Sequence, residues 1–159
     1  MGAAPDDIVV VTDLDERRIP QLAALYAETW WAGDRTETEI AGLVRGSDLV
    51  VGLVRRADDR LVGFCRVLTD WAYVALIFDV VVAGDVRGQG LGDRLLGEVV
   101  ARPELSAVRS LELVCRPDLV GFYRRWGFTD EVGGSRLMRR TTDPRLGAVG
   151  DPAHDPVVT

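Results

Sequence analysis

A chain of 159 residues with 47% hydrophobic content suits a single domain with one sizeable core. All 19 basic side chains are arginine, asparagine is missing, and the one histidine, His154, stands near the C-terminus. These absences exclude a lysine Schiff base, a Walker lysine, a Ser-His-Asp or Cys-His pair within the core, and histidine-based metal ligation, so no metal is expected.

The formal charge of −6 is uneven, with 8 Arg against 15 acids over residues 1–86 and 11 against 8 over residues 87–145. No concentrated basic stripe favours nucleic acid; the basic half suits an anionic cofactor and the acidic half a cationic substrate. Cys65 and Cys115 lie inside apolar segments, which suits buried free thiols rather than a disulfide framework. No apolar run approaches the roughly 20 residues of a membrane helix. The acidic stretch Met1 to Asp7 lacks a signal-peptide n-region, so a cytoplasmic location is expected, with no membrane partner.

In chain order, Ile8 to Thr12 is a β-branched run that predicts a first strand. Ile19, Leu22, Leu25 and Tyr26 recur at helical spacing, and Thr36-Glu37-Thr38-Glu39 offers a capping box for a second helix to about Arg45. Leu49 to Val54 and Leu61 to Leu68 flank the polar turn Ala57-Asp58-Asp59-Arg60 as a hairpin, and Val74 to Val82 is the next strand. A helix carrying Leu91, Leu95, Leu96, Val99 and Val100 ends before Pro103. Leu111 to Cys115 predicts a fifth strand, and Leu119 to Trp126 a short helix stopped by Gly127. A final strand is expected around Arg136 to Arg140. The domain is expected to occupy residues 1–142, with 143–159 a loose tail. The order β-α-α-β-β-β-α-β-α-β is that of a mixed α/β sandwich with one strand-turn-helix crossover at its centre.

That crossover carries the chemistry. Val80-Val81-Val82 leads into Arg87-Gly88-Gln89-Gly90-Leu91-Gly92, so glycines occupy the point where a buried strand becomes a helix. Without Cβ atoms they let the backbone approach a ligand, and the free N–H groups at the helix start attract a phosphate. Arg87 adds a charge-assisted contact. A dinucleotide fingerprint starting at Gly88 would need glycine where Asp93 stands, and a Walker sequence needs its lysine. A tight turn that only packs the helix on the sheet is the alternative reading.

Arg87, Gly90 and Gly92 match the [Gln/Arg]-x-x-G-x-[Gly/Ala] signature, and Tyr123-Arg124-Arg125-Trp126-Gly127-Phe128 matches a Tyr-x-x-x-Gly-Phe pattern after a later strand. With both, the chain resembles the Gcn5-related N-acetyltransferase (GNAT) superfamily over about residues 8–140. Leu76 to Val82 with Gly88 to Gly92 looks especially like the branch that includes plant serotonin N-acetyltransferases. Two departures stand out: Ala83-Gly84 where the family often has proline, and Arg116 where it often has asparagine.

The resemblance implies a mostly antiparallel mixed sheet of six to seven strands with helices on both faces, splayed between the fourth and fifth. It implies that acetyl-CoA is the cosubstrate, that its pantetheine arm pairs with the main chain of Val80 to Val82, and that its pyrophosphate takes the 87–92 turn, with Arg116 a further contact. It also implies that Tyr123 is the acid for the departing thiolate and that a homodimer is possible. Asp79 interrupts an otherwise apolar strand and is the candidate base, although an ordinary Asp near pKa 3.9 must be raised by desolvation, act through water or only hold the cation. Trp30, Trp31 and Arg35, with Asp70 and Trp71, are candidates to frame a small-molecule amine. A noncatalytic acyl-CoA-binding module and a protein N-terminal or lysine acetyltransferase are the competing functions.

Overall fold

A computed structural model of the chain describes residues 7–147. His154 and residues 148–159, the larger part of the expected tail, lie outside them, as do residues 1–6.

The sheet has five strands in the order β1-β2-β3-β4-β5: β1 Ile8–Val11, β2 Leu49–Arg55, β3 Arg60–Thr69, β4 Val74–Val82 and β5 Ser110–Glu112. The first three pairings are antiparallel and β4 pairs β5 in parallel. Val50–Val54 and Leu61–Cys65 are buried at consecutive positions, so both faces of the sheet are covered. The cover is helical: α1 (Ile19–Ala27) packs on β3 and β4, and α3 (Leu91–Val100) on β2, β3 and β4.

Local chemistry explains where the helices start. Thr36 caps α2 (Glu37–Arg45) by accepting from the Glu39 N–H, while Glu39 accepts from the Thr36 N–H, a complete capping box. Arg18, buried before α1, donates to Asp59 Oδ1 at 2.6 Å, and Gln21 accepts from the Leu61 N–H at 2.7 Å. These two contacts seat the helix over the β2–β3 turn.

Two irregularities in β4 matter for function. Its parallel pairing covers only Val74 to Leu76, opposite Ser110 to Glu112, so Ile77–Val82 have no β5 partner. On the other side, Phe64 faces Val81 and Arg66 faces Phe78, which leaves Asp79 and Val80 opposite Cys65 alone. This is a β-bulge, and its first residue, Asp79, has φ 57°. Aspartate is among the few non-glycine residues that visit this left-handed region.

Among the described residues the sheet has five strands, fewer than the six to seven expected. Residues 136–140 form no strand: Arg-Leu-Met-Arg-Arg sets two apolar side chains side by side among charges, so neither face of a strand would be apolar. Leu137 and Met138 are exposed. β5 is also shorter than the predicted Leu111 to Cys115.

The described residues divide into two compact units, one to Val114 and a second from Cys115. The second unit holds α4 (Val120–Arg124) and a single helical turn, α5 (Pro144–Gly147), inside the segment expected to be a loose tail. No helix among the described residues is long and apolar enough to cross a membrane.

Candidate active site

The glycine turn is held by ion pairs and hydrogen bonds at its start and has open space at Gly88 and Gly90. Asp85 accepts from Arg60 at 2.8 Å and from Arg55 at 3.4 Å, tying the turn to β2 and β3. Glu28, at the end of α1, accepts from the Gly84 N–H at 2.7 Å and lies 3.5 Å from Arg87, whose Nε donates to the Val82 carbonyl at 3.1 Å. Gly88 and Gly90 have φ 74° and 78°, and nothing lies within 4 Å of where a Cβ would stand on either. Gly90 is the N-cap of α3, and no side chain caps that helix. The arrangement is an open glycine turn with backbone donors at a helix start, the geometry that receives a phosphate. Gln89 is exposed beside it, while Leu91 and Gly92 are buried under the first turn of α3.

Val80, Val81 and Val82 are buried, so the strand leading to the turn offers main chain rather than polar side chains. Beyond Leu76 its β5-side edge is available to pair with an amide-bearing ligand, as an added strand would.

Asp79 sits at the bulge within this strand and gathers three partners on one oxygen. Its Oδ2 accepts from Tyr26 Oη at 2.9 Å, Arg35 Nη1 at 2.9 Å and Arg66 Nε at 2.7 Å. The Asp79 side chain is 6% exposed, Arg35 27% and Arg66 15%. Burial would raise the Asp79 carboxyl, but the two guanidiniums outweigh it and hold the acid below the usual carboxylate range. The Tyr26 phenol is pushed far up by burial and by the Asp79 charge, so it stays neutral.

Aromatic faces fix both arginines. The Arg35 guanidinium lies 4.8 Å from the Tyr26 ring centroid and 5.4 Å from that of Trp31, and the Arg66 guanidinium lies 4.9 Å from that of Phe78. Tyr26 also makes edge contacts with Trp31 and Phe64.

Of the residues singled out in the sequence, Asp79, Arg35 and Trp31 thus come together, and Trp30 is exposed beside them in the chain. Asp70 and Trp71 serve the β3–β4 turn. Asp70 Oδ1 accepts from the N–H groups of Ala72, Tyr73 and Val74, and Trp71 is exposed with φ 61°. Tyr26, Arg66 and Glu28 were missed from sequence. An arginine inside the apolar run of β3 and a lone aspartate in β4, the adjoining strand, were the available signal for Arg66.

In the second unit, Tyr123 is buried and makes edge contacts with Phe122 at 5.0 Å and Phe128 at 6.0 Å. Gly127 follows with φ 84°, the left-handed residue that ends the helical segment. Arg116 pairs with Asp118 at 3.1 Å.

Comparison with known proteins identifies the family. Residues 48–130 match the family model described as an acetyltransferase (GNAT) domain. An uncharacterized N-acetyltransferase of Porphyra purpurea is 31% identical over 97 residues, 60% of this chain and 56% of that protein. Serotonin N-acetyltransferase 2 of Oryza sativa is 38% identical over 79 residues, 50% of this chain and 40% of that protein. The chain spans about half the length of the curated relatives it matches. A crystal structure of a GNAT-family protein from Xanthomonas campestris superposes with a TM-score of 0.71 at 34% identity, covering 84% of this chain and 92% of that one. With the bulged and half-paired β4, the uncapped glycine turn and this match in both sequence and structure, the chain belongs to the GNAT acetyltransferase family.

Proposed function

We propose that the protein is an N-acetyltransferase that uses acetyl-CoA to acetylate a primary amine of a small molecule by direct attack in a ternary complex. The observation that carries this reading is the continuity of an unpaired strand edge, Ile77–Val82, with an open glycine turn at the start of α3. The residues fit the cosubstrate: Gly88 and Gly90 leave the space a side chain would fill, and the turn presents backbone donors toward a pyrophosphate. Bound acetyl-CoA supplies a thioester carbonyl for attack and a thiolate leaving group.

The chain's own part is to position and to handle protons. An ordinary carboxylate near pKa 3.9 is a poor base for an ammonium near 10, and Asp79 is held lower still. Asp79 therefore serves by holding the arriving ammonium, which loses its proton through water. Its Oδ2 is fully engaged, while its Oδ1 accepts no hydrogen bond from the described residues. Tyr123 takes the role that its motif implies, donating a proton to the departing thiolate. The match to a serotonin N-acetyltransferase and the aromatic loop of Trp30 and Trp31 support a small-molecule acceptor.

The test is incubation of purified protein with acetyl-CoA and a panel of amines, with release of free thiol as the readout. Turnover of a small amine supports the reading. Coenzyme A binding without turnover of any amine class supports the second reading, a noncatalytic acyl-CoA-binding module, which the depressed Asp79 acidity favours. Turnover of peptide N-termini or lysines alone would place the protein among protein acetyltransferases.

A further inference from the structure

We infer that Arg35 and Arg66 form a subsite for an acidic group carried by the acceptor itself, so that the amine substrate also bears a carboxylate or a phosphate. The inference rests on the acetyl-transfer reading for its role, but the observations that carry it are independent of that reading.

The first is charge. Two guanidiniums converge on one carboxylate, and the third partner, Tyr26, is a neutral phenol. The cluster thus holds one positive charge more than it neutralises. Glu39, whose carboxylate is close enough to feel Arg35, keeps its charge but is exposed at the Thr36 cap, where solvent screens it. Asp34, the chain neighbour of Arg35, is exposed. Arg66, only 15% exposed, shares its one carboxylate with Arg35, so the cluster has the charge to take one more anion.

The second is geometry. Each arginine uses a single N–H on Asp79: Arg35 through Nη1 and Arg66 through Nε. A guanidinium has five donors in a fixed fork; Arg35 also bonds the Tyr26 hydroxyl, while the two Nη groups of Arg66 donate to no described side chain and are left for another acceptor. Both planes are pinned against aromatic rings, Arg35 on Tyr26 and Trp31 and Arg66 on Phe78. Little side-chain freedom remains to be lost on binding. Planar forks held in this way suit the paired oxygens of a carboxylate or phosphate. On the proposed role of Asp79, one acceptor carrying both an ammonium and an acidic group would engage both parts of the cluster.

Matched amines with and without an acidic group test the subsite: tryptophan against tryptamine, and phosphoethanolamine against ethanolamine. Each is titrated calorimetrically into the full chain saturated with coenzyme A, and thiol release from acetyl-CoA is followed with the same four amines. The acid-bearing member of at least one pair is expected to bind tenfold or more tightly, and the pair with the larger preference identifies carboxylate or phosphate as the ligand. Arg35→Gln and Arg66→Gln are each expected to reduce that preference below threefold. Arg66→Lys, which keeps the charge, guards against a folding defect and is expected to restore part of it.

Equal or tighter binding of the neutral member in both pairs, no binding of any of the four, or a preference retained in both Gln variants overturns the subsite. A preference in binding with no thiol release from any amine leaves the subsite standing and removes acetyl transfer. Thiol release that is as fast with neutral amines, without a binding preference, does the reverse.

Discussion

The phenol of Tyr26 in α1 donates a 2.9 Å hydrogen bond to Oδ2 of Asp79 in β4, joining residues 53 positions apart at the bulge where the strand twists out of register. The bond fastens a helix to the irregular point of the sheet. It also makes the aspartate a component of the fold as well as of the candidate site.

Asp79→Asn is expected to lower stability at pH 7 by about 3 kcal/mol, because it leaves two inward-facing guanidiniums without their carboxylate. The folded-state acidity of Asp79 is depressed, so its contribution is fully present above the unfolded value of about 3.9 and fades as pH falls through the lower folded value. Urea denaturation at pH 7 and near pH 3 measures this. The gap between wild type and variant should narrow in acid, and a gap independent of pH would remove the charge from the account.

Gly90 separates the cost of backbone strain from the loss of a binding surface. Its φ of 78° penalises any side chain, so Gly90→Ala is expected to lose about 1 to 2 kcal/mol of stability. Gly90→Asp places a carboxylate in the open turn and should abolish calorimetric coenzyme A binding while thermal unfolding remains cooperative. Unchanged coenzyme A affinity in Gly90→Asp would move the pyrophosphate elsewhere.

For Tyr123, removal of the hydroxyl keeps the edge contacts with Phe122 and Phe128. Tyr123→Phe is expected to retain coenzyme A affinity and to lower kcat by about a hundredfold, the lower range for loss of a general acid. Equal kcat would withdraw the proton-donor role.

The thiols offer a check on the core. Cys65 is fully buried and burial pushes its pKa up to about 12, whereas Cys115 is partly accessible. Native protein at pH 8 is expected to react with a thiol reagent at Cys115 alone, and unfolded protein at both positions. Rapid native labelling of Cys65 would mean that the β2–β3–β4 core opens readily.

Much of the fold was legible because local signals agreed with the tertiary outcome. The Thr36–Glu39 capping box starts α2 as read, and Val74 to Val82 is a strand over the predicted span. Leu49 and Leu61 open hairpin strands whose observed limits fall within a residue or so of those predicted. Residues 136–140 form no strand because Leu137 and Met138 are adjacent in the chain, so they would point to opposite faces and neither face would be apolar. The Asp79 cluster was half legible. A carboxylate in an apolar strand announced itself, yet Tyr26 read only as part of the apolar face of α1, and Arg66 as a strand residue. Their convergence depends on a bulge that brings Asp79 into line with both, and a bulge leaves no composition signal when its left-handed residue is not glycine.

The short β4–β5 pairing has an evolutionary consequence. A strand edge left unpaired where its neighbour ends early offers peptide groups, which every residue type possesses, so mutation can rewrite the side chains along β4 without changing that edge. Selection at this edge would then act on strand length and on the glycines of the turn rather than on residue identity. Specificity for a proposed acceptor would be free to drift in the helices and loops around Asp79 while the unpaired edge at Val80 to Val82 stayed the same.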